Sequence, residues 1–301
     1  MTLEQLRIFV AVAERQHVTQ AAKAINITQS AASSAVATLE DRYGVKLFDR
    51  VGRRIALTKA GETFLAEARA VLARAAAAER TLADLAGVKR GALTIYASQT
   101  ITNYWLPPLL ARFRDRYPDI ALHVIDGNTQ TVAAATREGL ADLGFVEGSV
   151  DDAQLASRAV GADRLIAVFA KGHPLARRRT LSLRDLKAAR WVLREPGSGT
   201  RAEFEAALRR LGVEPEALDV ALELPSNEAV LAAVAAGAGG TVVSALVAQA
   251  GLASGILVSP QAALPKRSFL ALRHRERHVS RVETAFLDLI DEAGGNTPHR
   301  R

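Results

Sequence analysis

The stretch from His17 to Tyr43 constrains the fold of this chain most strongly. Its apolar residues recur at helical spacing in two runs, and a short turn at Asn26-Ile27 separates the runs. Thr28 stands at the start of the second run and is predicted to cap that helix. The pattern predicts two helices joined by a tight turn. Their inward-facing residues are Val18, Ala21, Ala22 and Ile25 in the first helix, and Ala32, Ala35, Val36, Leu39 and Tyr43 in the second.

The outward face at the start of the second helix is polar but uncharged. It carries Gln29, Ser30, Ser33 and Ser34, next to the Thr28 hydroxyl. Amide and hydroxyl groups at the N-terminal end of such a helix suit base edges and phosphates in a DNA major groove. We therefore predict a helix-turn-helix that binds double-stranded DNA. The alternative is an αα-hairpin whose second helix has a polar face by chance, because the local signature is permissive.

A small β-hairpin, or wing, is predicted directly after the second helix. Gly44 is positioned to end the helix, and two short apolar segments then flank a turn at residues 51–54. Arg50, Arg53 and Arg54 lie near the tip of this hairpin. Three guanidinium groups suit DNA phosphates or a minor groove, so these arginines are predicted to bind DNA. The alternative is a turn that only confers solubility.

The charge of the chain is consistent with an acidic polymer as partner. The net charge is +7 over 301 residues, and residues 1–60 hold nine Lys/Arg against five Asp/Glu. A basic solvated surface alone is the alternative explanation. The sequence has no cysteine, no apolar run of about 18 residues and no N-terminal secretion leader. We therefore expect a soluble, cytoplasmic protein without disulfides and without a membrane partner.

A long helix is predicted over residues 62–86. Its apolar residues are alternately four and three positions apart, which is the spacing of a coiled-coil seam. A lone helix has nothing to cover such a seam, so we predict that it dimerises with a second copy of the chain. The alternative is a helix that packs on its own domain. Gly87 and Gly91 are predicted to end the helix and form a hinge. The seam consists of Phe64, Ala68, Val71, Ala75, Ala78, Leu82 and Leu85.

From residue 92 onward, predicted strands and helices alternate up to a C-terminal tail that is expected to be disordered. This alternation predicts parallel sheets with helical crossovers, arranged as two lobes with crossings near Gly161 and Pro265. The predicted fold class is therefore a multidomain α/β protein. Its domains are residues 1–60 for DNA binding, 61–90 as linker and hinge, and 91–301 as an α/β domain with one lobe at about 91–161 and 267–295 and the other at about 162–266.

These parts, in this order, resemble the bacterial LysR-type transcriptional regulators. The segments LEQLRIFVAVAE, VTQAAKAINITQSAASSAVATLE, GVKLFDR and LTKAG match the N-terminal domain of that family, and the remaining order of elements matches as well. The resemblance implies a winged helix-turn-helix that binds pseudo-palindromic DNA as a dimer. It also implies antiparallel linker helices, a homotetramer, and RNA polymerase as a possible further partner. The C-terminal domain is implied to resemble periplasmic binding proteins and to hold a small effector between its lobes.

The resemblance places Thr28, Gln29, Ser30, Ser33 and Ser34 on the DNA-facing positions of the recognition helix, and the three hairpin arginines on the wing. The chain departs from the family in one detail, because the segment SAASSA carries unusually small side chains. Base discrimination is therefore expected to depend on few contacts together with DNA shape.

Polar residues are predicted at the carboxyl ends of several strands, where open α/β sheets bind ligands near helix N-termini. Their hydroxyl and amide groups favour an anion or a polyhydroxy acid as effector, and Arg201 is predicted to pair with its carboxylate or phosphate. Helix capping is the alternative role of each Ser, Thr and Asn. Glu147 must be protonated, pair with Arg201 or accept hydrogen bonds from the ligand. The candidates are Ser98, Gln99, Thr100, Asn128, Thr129, Glu147, Ser198, Thr200, Arg201, Ser226 and Asn227.

Motifs of the common enzyme classes are absent from the sequence. The six histidines lie far apart, and no His-Glu-x-x-His motif, nucleophile elbow or phosphate-binding loop occurs. The glycine-rich segment 235–240 precedes a strand, whereas a dinucleotide-binding loop follows one. We therefore predict no enzyme, no metal and no cofactor. A stand-alone solute-binding protein is the alternative function, but it would need a secretion signal and no basic N-terminal domain.

Overall fold

A computed structural model describes residues 1–51, 54–85 and 91–294, without the side chains at positions 51, 54, 80, 81 and 83–85. The chain divides into two compact units, one built mainly from residues 1–87 and the other from most of the remainder. The first unit contains three helices, a two-stranded hairpin and a long helix. These elements are α1 (Leu3–Arg15), α2 (Val18–Ala24), α3 (Gln29–Tyr43), β1 (Phe48–Val51), β2 (Arg54–Leu57) and α4 (Lys59–Leu85).

The helix-turn-helix and the hairpin lie where the sequence predicts them. Thr28 caps α3, because its Oγ1 accepts a hydrogen bond from the Ala31 amide at 3.2 Å, and Gly44 ends the helix with φ at +65°. Phe9 of α1 is fully buried and packs with α3 and α4 residues around one core. The prediction that Tyr43 faces inward is wrong. Its side chain is 56 % exposed, because Glu40 takes the buried position in the last turns of α3.

Glu40 ties the recognition helix to the wing. Its Oε1 accepts hydrogen bonds from the backbone amides of Leu47 at 2.8 Å and Phe48 at 3.2 Å, and its Oε2 accepts one from Lys46 Nζ at 2.8 Å. Burial by itself raises the pKa of this carboxyl, but these hydrogen bonds outweigh burial and hold the pKa below its ordinary value. The sequence pattern did not single out this residue.

We expect Glu40→Gln to destabilise the N-terminal unit at neutral pH by about 1–3 kcal/mol. The neutral carboxamide oxygen of glutamine is a weaker hydrogen-bond acceptor for the two backbone amides than the carboxylate oxygen of Glu40. A carboxyl whose pKa is lowered by folding stabilises the fold above its unfolded-state pKa, and this contribution is lost as the pH falls through the folded-state pKa. The difference between wild type and variant should therefore shrink on acidification. Amide hydrogen exchange of residues 44–50 as a function of pH measures this difference in stability.

The matched control is Glu62→Gln, which removes an exposed carboxylate that pairs with Lys59 at 3.1 Å. It should change the stability by less than about 0.5 kcal/mol. A stability difference for Glu40→Gln that stays constant from neutral pH down to strongly acidic pH would contradict the role of the ionised carboxylate.

The long helix α4 begins at Lys59, with the Thr58 hydroxyl accepting a hydrogen bond from the Gly61 amide at 2.9 Å. Its predicted seam divides into two parts. Phe64 and Ala68 pack on the core of their own unit, as the alternative interpretation held for the whole seam. Farther along the helix, Val71 is 41 % exposed and Leu82 is 68 % exposed. The C-terminal part of the seam is therefore left uncovered by its own unit.

The second unit is an α/β structure. Its strands are β3 (Gly91–Ser98), β4 (Ile120–Gly127), β5 (Leu143–Glu147), β6 (Leu155–Ala170), β7 (Arg190–Arg194), β8 (Asp219–Leu224), β9 (Gly240–Ser244), β10 (Leu257–Val258) and β11 (Lys266–His274). Its helices are α5 (Leu106–Arg116), α6 (Thr129–Glu138), α7 (Leu183–Ala188), α8 (Gly199–Arg210), α9 (Asn227–Ala235), α10 (Ala245–Ala253) and α11 (Arg281–Gly294). Short 3-10 turns lie at Pro174–Arg177 and Pro215–Ala217.

The strands follow the order β4-β3-β5-β11-β6-β9-β7-β8, with β10 on β6. The long strand β6 pairs with β11 up to Arg164 and with β9 from Leu165 onward. We call the part with β3, β4, β5 and β11 the first lobe, and the part with β7 to β10 the second lobe. The predicted parallel sheets are present within each lobe, but the sheet as a whole is mixed. Pairs within each lobe such as β3–β4 and β7–β8 are parallel, but β6 and β11 pair antiparallel with all their neighbours.

Three features of this unit differ from the sequence pattern. Strand β6 extends over 16 residues from Leu155, because its first half is held by pairing with β11 rather than by an apolar run. The chain is already helical at residue 99 and forms a π-helix over Ile101–Trp105 before α5. Pro107 and Pro108 then lie in the first turn of α5, where a missing amide donor is tolerated. Helix α10 was not predicted.

Candidate functional site

The N-terminal end of α3 presents the predicted DNA-facing residues to solvent. Gln29, Ser30, Ser33 and Ser34 are all exposed. Gln29 Nε2 lies 3.4 Å from Ser33 Oγ, and the hydroxyls of Thr28 and Ser30 lie 3.0 Å apart. These side chains form one continuous surface of hydrogen-bonding groups without a charge. The Thr28 hydroxyl also caps the helix, so both of its predicted roles use the same oxygen.

Of the three arginines predicted to bind DNA from the hairpin, the structure describes the side chain of Arg50. Arg50 lies on β1 opposite Ile55, it is exposed, and it forms no ion pair with any described residue. Arg53 and the side chain of Arg54 lie outside the described residues, as do Gly87 of the predicted hinge and most of the tail. Gly91, the other predicted hinge residue, is the first residue of β3. A free guanidinium group on an exposed strand is available for a phosphate.

In the second unit, the predicted residues of the first lobe meet at the carboxyl ends of parallel strands. Ser98 ends β3 beside Gly127, the last residue of β4, and Glu147 ends β5. Thr129 follows two positions after β4 and opens α6. The Oγ atom of Ser98 and the Oγ1 atom of Thr129 are both buried, and neither has a hydrogen-bond partner among the residues that the structure describes. Buried hydroxyls without partners are rare and require an explanation.

The second lobe contributes the N-terminus of α8 to this place. A Cβ atom on Gly199 would lie 2.4 Å from Thr129 Oγ1 and 2.9 Å from the Glu147 carbonyl oxygen, so the lobes touch here only because the residue is glycine. Ser198 occupies the N-cap position but makes no side-chain capping hydrogen bond. The first amides of α8 therefore lack the usual hydroxyl partner, at the positive end of a 12-residue helix.

Side-chain and backbone hydrogen bonds join the two lobes around this contact. Asn128 Nδ2 donates to Glu195 Oε1 at 3.2 Å. The backbone amide of Asn227 donates to Gln99 Oε1 at 3.1 Å, and the side-chain Nδ2 of Asn227 donates to Thr100 Oγ1 at 3.3 Å. Four of the predicted residues therefore bind one another or the opposite lobe directly, and they hold the lobes together.

A buried arginine that the sequence analysis missed lies beside Glu147. The Nε and Nη2 atoms of Arg267 donate to Asp163 Oδ2 at 3.2 and 3.0 Å, and Nη1 donates to Thr200 Oγ1 at 3.0 Å. Glu147 Oε1 lies 3.6 Å from Arg267 Nη2, which is an ion pair without a short hydrogen bond. The one guanidinium group faces two carboxylates, and all three side chains are buried. The available signal was a charged residue in the segment RSFLAL, whose last four residues are apolar.

A second missed arginine organises the second-lobe side. Arg194 ends β7 and is almost fully buried. It donates to Asn227 Oδ1 at 2.8 Å and to both carboxylate oxygens of Glu195 at 2.7 and 2.9 Å. Arg194 thereby fixes Glu195 and Asn227, which are two of the residues that contact the first lobe.

Two predicted residues lie outside this cluster. Arg201 donates to Glu205 at 2.7 Å, to Glu223 and to the Arg194 carbonyl oxygen at 3.0 Å, so its partners are all in the second lobe. Burial alone would lower the pKa of Arg201, but the two carboxylates outweigh burial and raise it. The Nε and Nη1 atoms of Arg201 are therefore committed to groups of the second lobe. Ser226 caps α9 by accepting from the Ala229 amide at 3.0 Å, which is the capping role weighed as the alternative.

No group of three or more His, Asp or Glu side chains suited to a metal occurs among the residues that the structure describes. Within the same ranges, no helix is both long and apolar enough to cross a membrane.

Comparison with protein families decides the identity of both units. Residues 3–62 match the bacterial regulatory helix-turn-helix of the lysR family, and residues 86–295 match the LysR substrate binding domain. The chain belongs to the LysR family of transcriptional regulators. As a LysR-family member it is a DNA-binding transcriptional regulator with an effector-binding domain, and nothing indicates catalysis.

Relatives of this LysR-family regulator span its whole length. It is 37 % identical over 295 residues to the uncharacterized HTH-type transcriptional regulator YeiE of Escherichia coli K12, with 97 % of this chain and 98 % of the relative covered. It is similar in fold to full-length CbnR complexed with its target DNA (TM-score 0.70, 23 % identity, 97 % and 100 % of the chains covered). The regulatory domain of Synechocystis PCC6803 CcmR in complex with 2-PG gives a TM-score of 0.63 at 26 % identity and covers 69 % of this chain and 100 % of that domain.

Proposed function

We propose that this LysR-family regulator reads DNA through the N-terminal end of α3 and is controlled by a small anion between the lobes of its second unit. The anion also presents a hydrogen-bond donor to Glu147. The observation that carries the effector site is the pair of buried, unpartnered hydroxyls of Ser98 and Thr129 beside the uncapped N-terminus of α8.

The proposed DNA surface combines the exposed residues Thr28, Gln29, Ser30, Ser33 and Ser34 with the wing arginines. Short amide and hydroxyl side chains can reach base edges only if the helix end enters the major groove closely, which small side chains permit. The free guanidinium of Arg50, with Arg53 and Arg54, is proposed to hold the flanking phosphates. Phosphate contacts position the protein, and the α3 residues provide the sequence preference.

Arg50→Ala should weaken binding of this regulator to all duplexes to a similar degree and should flatten the dependence of log K on log salt by about one unit, because one phosphate contact is lost. Fluorescence anisotropy with one specific and one unrelated duplex over a salt series measures both effects. Arg184→Ala is the control, since Arg184 is exposed on α7 of the other unit. An unchanged salt slope in Arg50→Ala would remove this residue from the phosphate contacts.

We further propose that two copies dimerise through α4, over residues 62–86, and that two dimers form a tetramer. The exposed apolar residues Val71 and Leu82 support this proposal, because an uncovered seam on a long helix is typical of a coiled-coil partner surface. The proposed functional division of the chain is DNA binding by residues 1–60, linkage by 61–90 and effector binding by 91–301.

An anion satisfies the polar groups that the lobes leave without partners. The Ser98 and Thr129 hydroxyls can donate to it, and the first amides of α8 point toward the same place. The guanidinium group of Arg267 is already shared between Asp163 and Glu147, so the hydroxyls and the helix amides, rather than Arg201 or Arg267, are proposed to bind the anion. The regulatory domain of the related CcmR forms a complex with 2-PG, which supports a small ligand for this domain.

Glu147 narrows the class of effector. Its carboxylate is buried, and its cationic neighbour Arg267 already binds Asp163 at 3.0 Å. A carboxylate accepts hydrogen bonds but donates none, so an effector without a donor would place its own lone pairs against Glu147. We infer that the effector carries a hydroxyl or another N–H or O–H group beside its anionic centre.

Calorimetric titration with inorganic phosphate and with sulfate tests this inference, because phosphate carries an O–H group at neutral pH and sulfate does not. Phosphate should bind wild type at least about tenfold more tightly than sulfate, the difference expected of one hydrogen bond to a charged group. Glu147→Gln should narrow that ratio, since an amide can donate to sulfate. Thr129→Val should weaken both ions without changing the ratio. Equal affinities for the two ions in wild type would contradict the role of Glu147.

A further inference from the structure

Strands β6 and β11 carry an unusual charge pattern where the two lobes join. Asp163 lies opposite Arg267 in the register of this antiparallel pair, and the two side chains form a buried ion pair on one face of the sheet. One position along, Arg164 lies opposite Lys266. Successive side chains point to opposite faces, so these two cations share the outer face.

Two like charges directly opposite each other destabilise a β-ladder. Arg164 and Lys266 are both exposed, and neither forms an ion pair or a side-chain hydrogen bond with any residue in the described ranges. The neighbouring acid, Asp163, is committed to Arg267 on the other face. Local conflicts of this kind concentrate at functional sites, where a ligand relieves them.

The same two cations stand at the edge of a cavity of about 550 Å³. Its remaining walls come from β6, α10 and the segment 259–264, and most of them are apolar. A cavity with an apolar body and a few convergent polar groups is the usual form of a small-molecule site. The apolar walls are Leu165, Ile166, Leu252, Pro260, Ala262 and Leu264.

We propose that this cavity binds an amphipathic organic anion. Its carboxylate lies between Arg164 and Lys266 and relieves their repulsion, and its aliphatic body lies against Ile166, Leu252 and Leu264. The site shares no residue with the interlobe cluster, and Arg267 and Lys266 point to opposite faces of β11. It is therefore a second ligand site, placed on the strand that connects the lobes.

Calorimetric titration of the full-length protein with straight-chain carboxylates tests the proposal. Hexanoate should bind, and its neutral counterpart hexanamide should bind at least about tenfold more weakly, because the charge-assisted hydrogen bonds are lost. Affinity should rise about fourfold per added methylene from butanoate to hexanoate as apolar surface is buried. An affinity that does not depend on chain length would mean that the cation pair attracts any anion, and it would overturn the proposal.

Variants separate this site from the interlobe site and from general charge effects. Arg164→Gln and Lys266→Gln should each reduce hexanoate affinity about tenfold. Each should also raise the melting temperature of the unliganded protein, since a repulsive pair is removed. Lys171→Gln removes an exposed cation outside the cavity and should change neither the hexanoate affinity nor the melting temperature. Loss of hexanoate binding in Thr129→Val with full binding in Arg164→Gln would place the ligand between the lobes and overturn the proposal.

Discussion

Leu82→Glu is expected to convert this LysR-family regulator into a monomer and to lower its affinity for a specific duplex by about a hundredfold or more. Leu82 is 68 % exposed on α4, in the part of the seam that its own unit does not cover. A carboxylate at this position would have to be buried against the partner helix, which strongly disfavours pairing. Two DNA-binding units on one dimer gain about 10²–10⁴ in affinity from simultaneous binding, and a monomer loses that gain.

Analytical ultracentrifugation gives the mass of the variant, and fluorescence anisotropy gives its affinity for the duplex. Ala66→Glu is the matched control, because Ala66 is an exposed residue of the same helix outside the seam. The control should remain dimeric or tetrameric and should bind the duplex with nearly wild-type affinity. A Leu82→Glu protein that keeps the wild-type mass and affinity would show that α4 does not hold the dimer together.

The second large effect is expected at the contact between the lobes. Gly199→Ala would place a methyl group 2.4 Å from Thr129 Oγ1 and 2.9 Å from the Glu147 carbonyl oxygen, so the closed arrangement must open. Overpacking of this kind costs about 1–3 kcal/mol, which corresponds to about a five- to 150-fold loss of effector affinity if the effector requires closed lobes. At effector concentrations that saturate wild type, the effector should therefore no longer control DNA binding by the Gly199→Ala protein.

Titration with phosphate measures the affinity of the Gly199→Ala protein. Hydrogen exchange of the Gln130 and Asn227 amides, which bind the opposite lobe at 3.2 and 3.1 Å, reports the opening directly. Gly172→Ala is the control, because a Cβ atom there meets nothing within 4 Å. Unchanged effector affinity together with unchanged exchange at both amides would contradict a role for lobe closure.

Local signals in the sequence predicted the N-terminal unit well. Thr28 and Gly44 mark the ends of α3 through hydrogen-bonding and backbone preferences that act within a few residues. Glu40 escaped notice because its role depends on the amides of Leu47 and Phe48, which only the turn into the wing brings near it. A glutamate on an amphipathic helix is otherwise expected to face solvent.

The interlobe cluster shows the same limit. Ser98 and Thr129 follow strands and could be predicted from that position alone, since carboxyl ends of parallel strands lie at one edge. Arg194 and Arg267 were missed because their partners come from distant segments of the chain. Arg267 binds Asp163 on β6, and Arg194 binds Asn227 at the start of α9. Arg201 was assigned to the effector from its position at a helix start, but carboxylates on α8 and β8 already bind it.

Selection of bound duplexes from a random DNA pool, with the purified full-length protein at moderate ionic strength, tests most directly whether α3 of a dimer reads DNA. Wild type should enrich a dyad-symmetric sequence whose half-sites are separated by a multiple of about 10–10.5 base pairs. Gln29→Ala should relax the preference at one symmetric position by about 1–3 kcal/mol and leave the others intact. Enrichment of no sequence over the starting pool, or the same preference at every position in Gln29→Ala, would contradict this account.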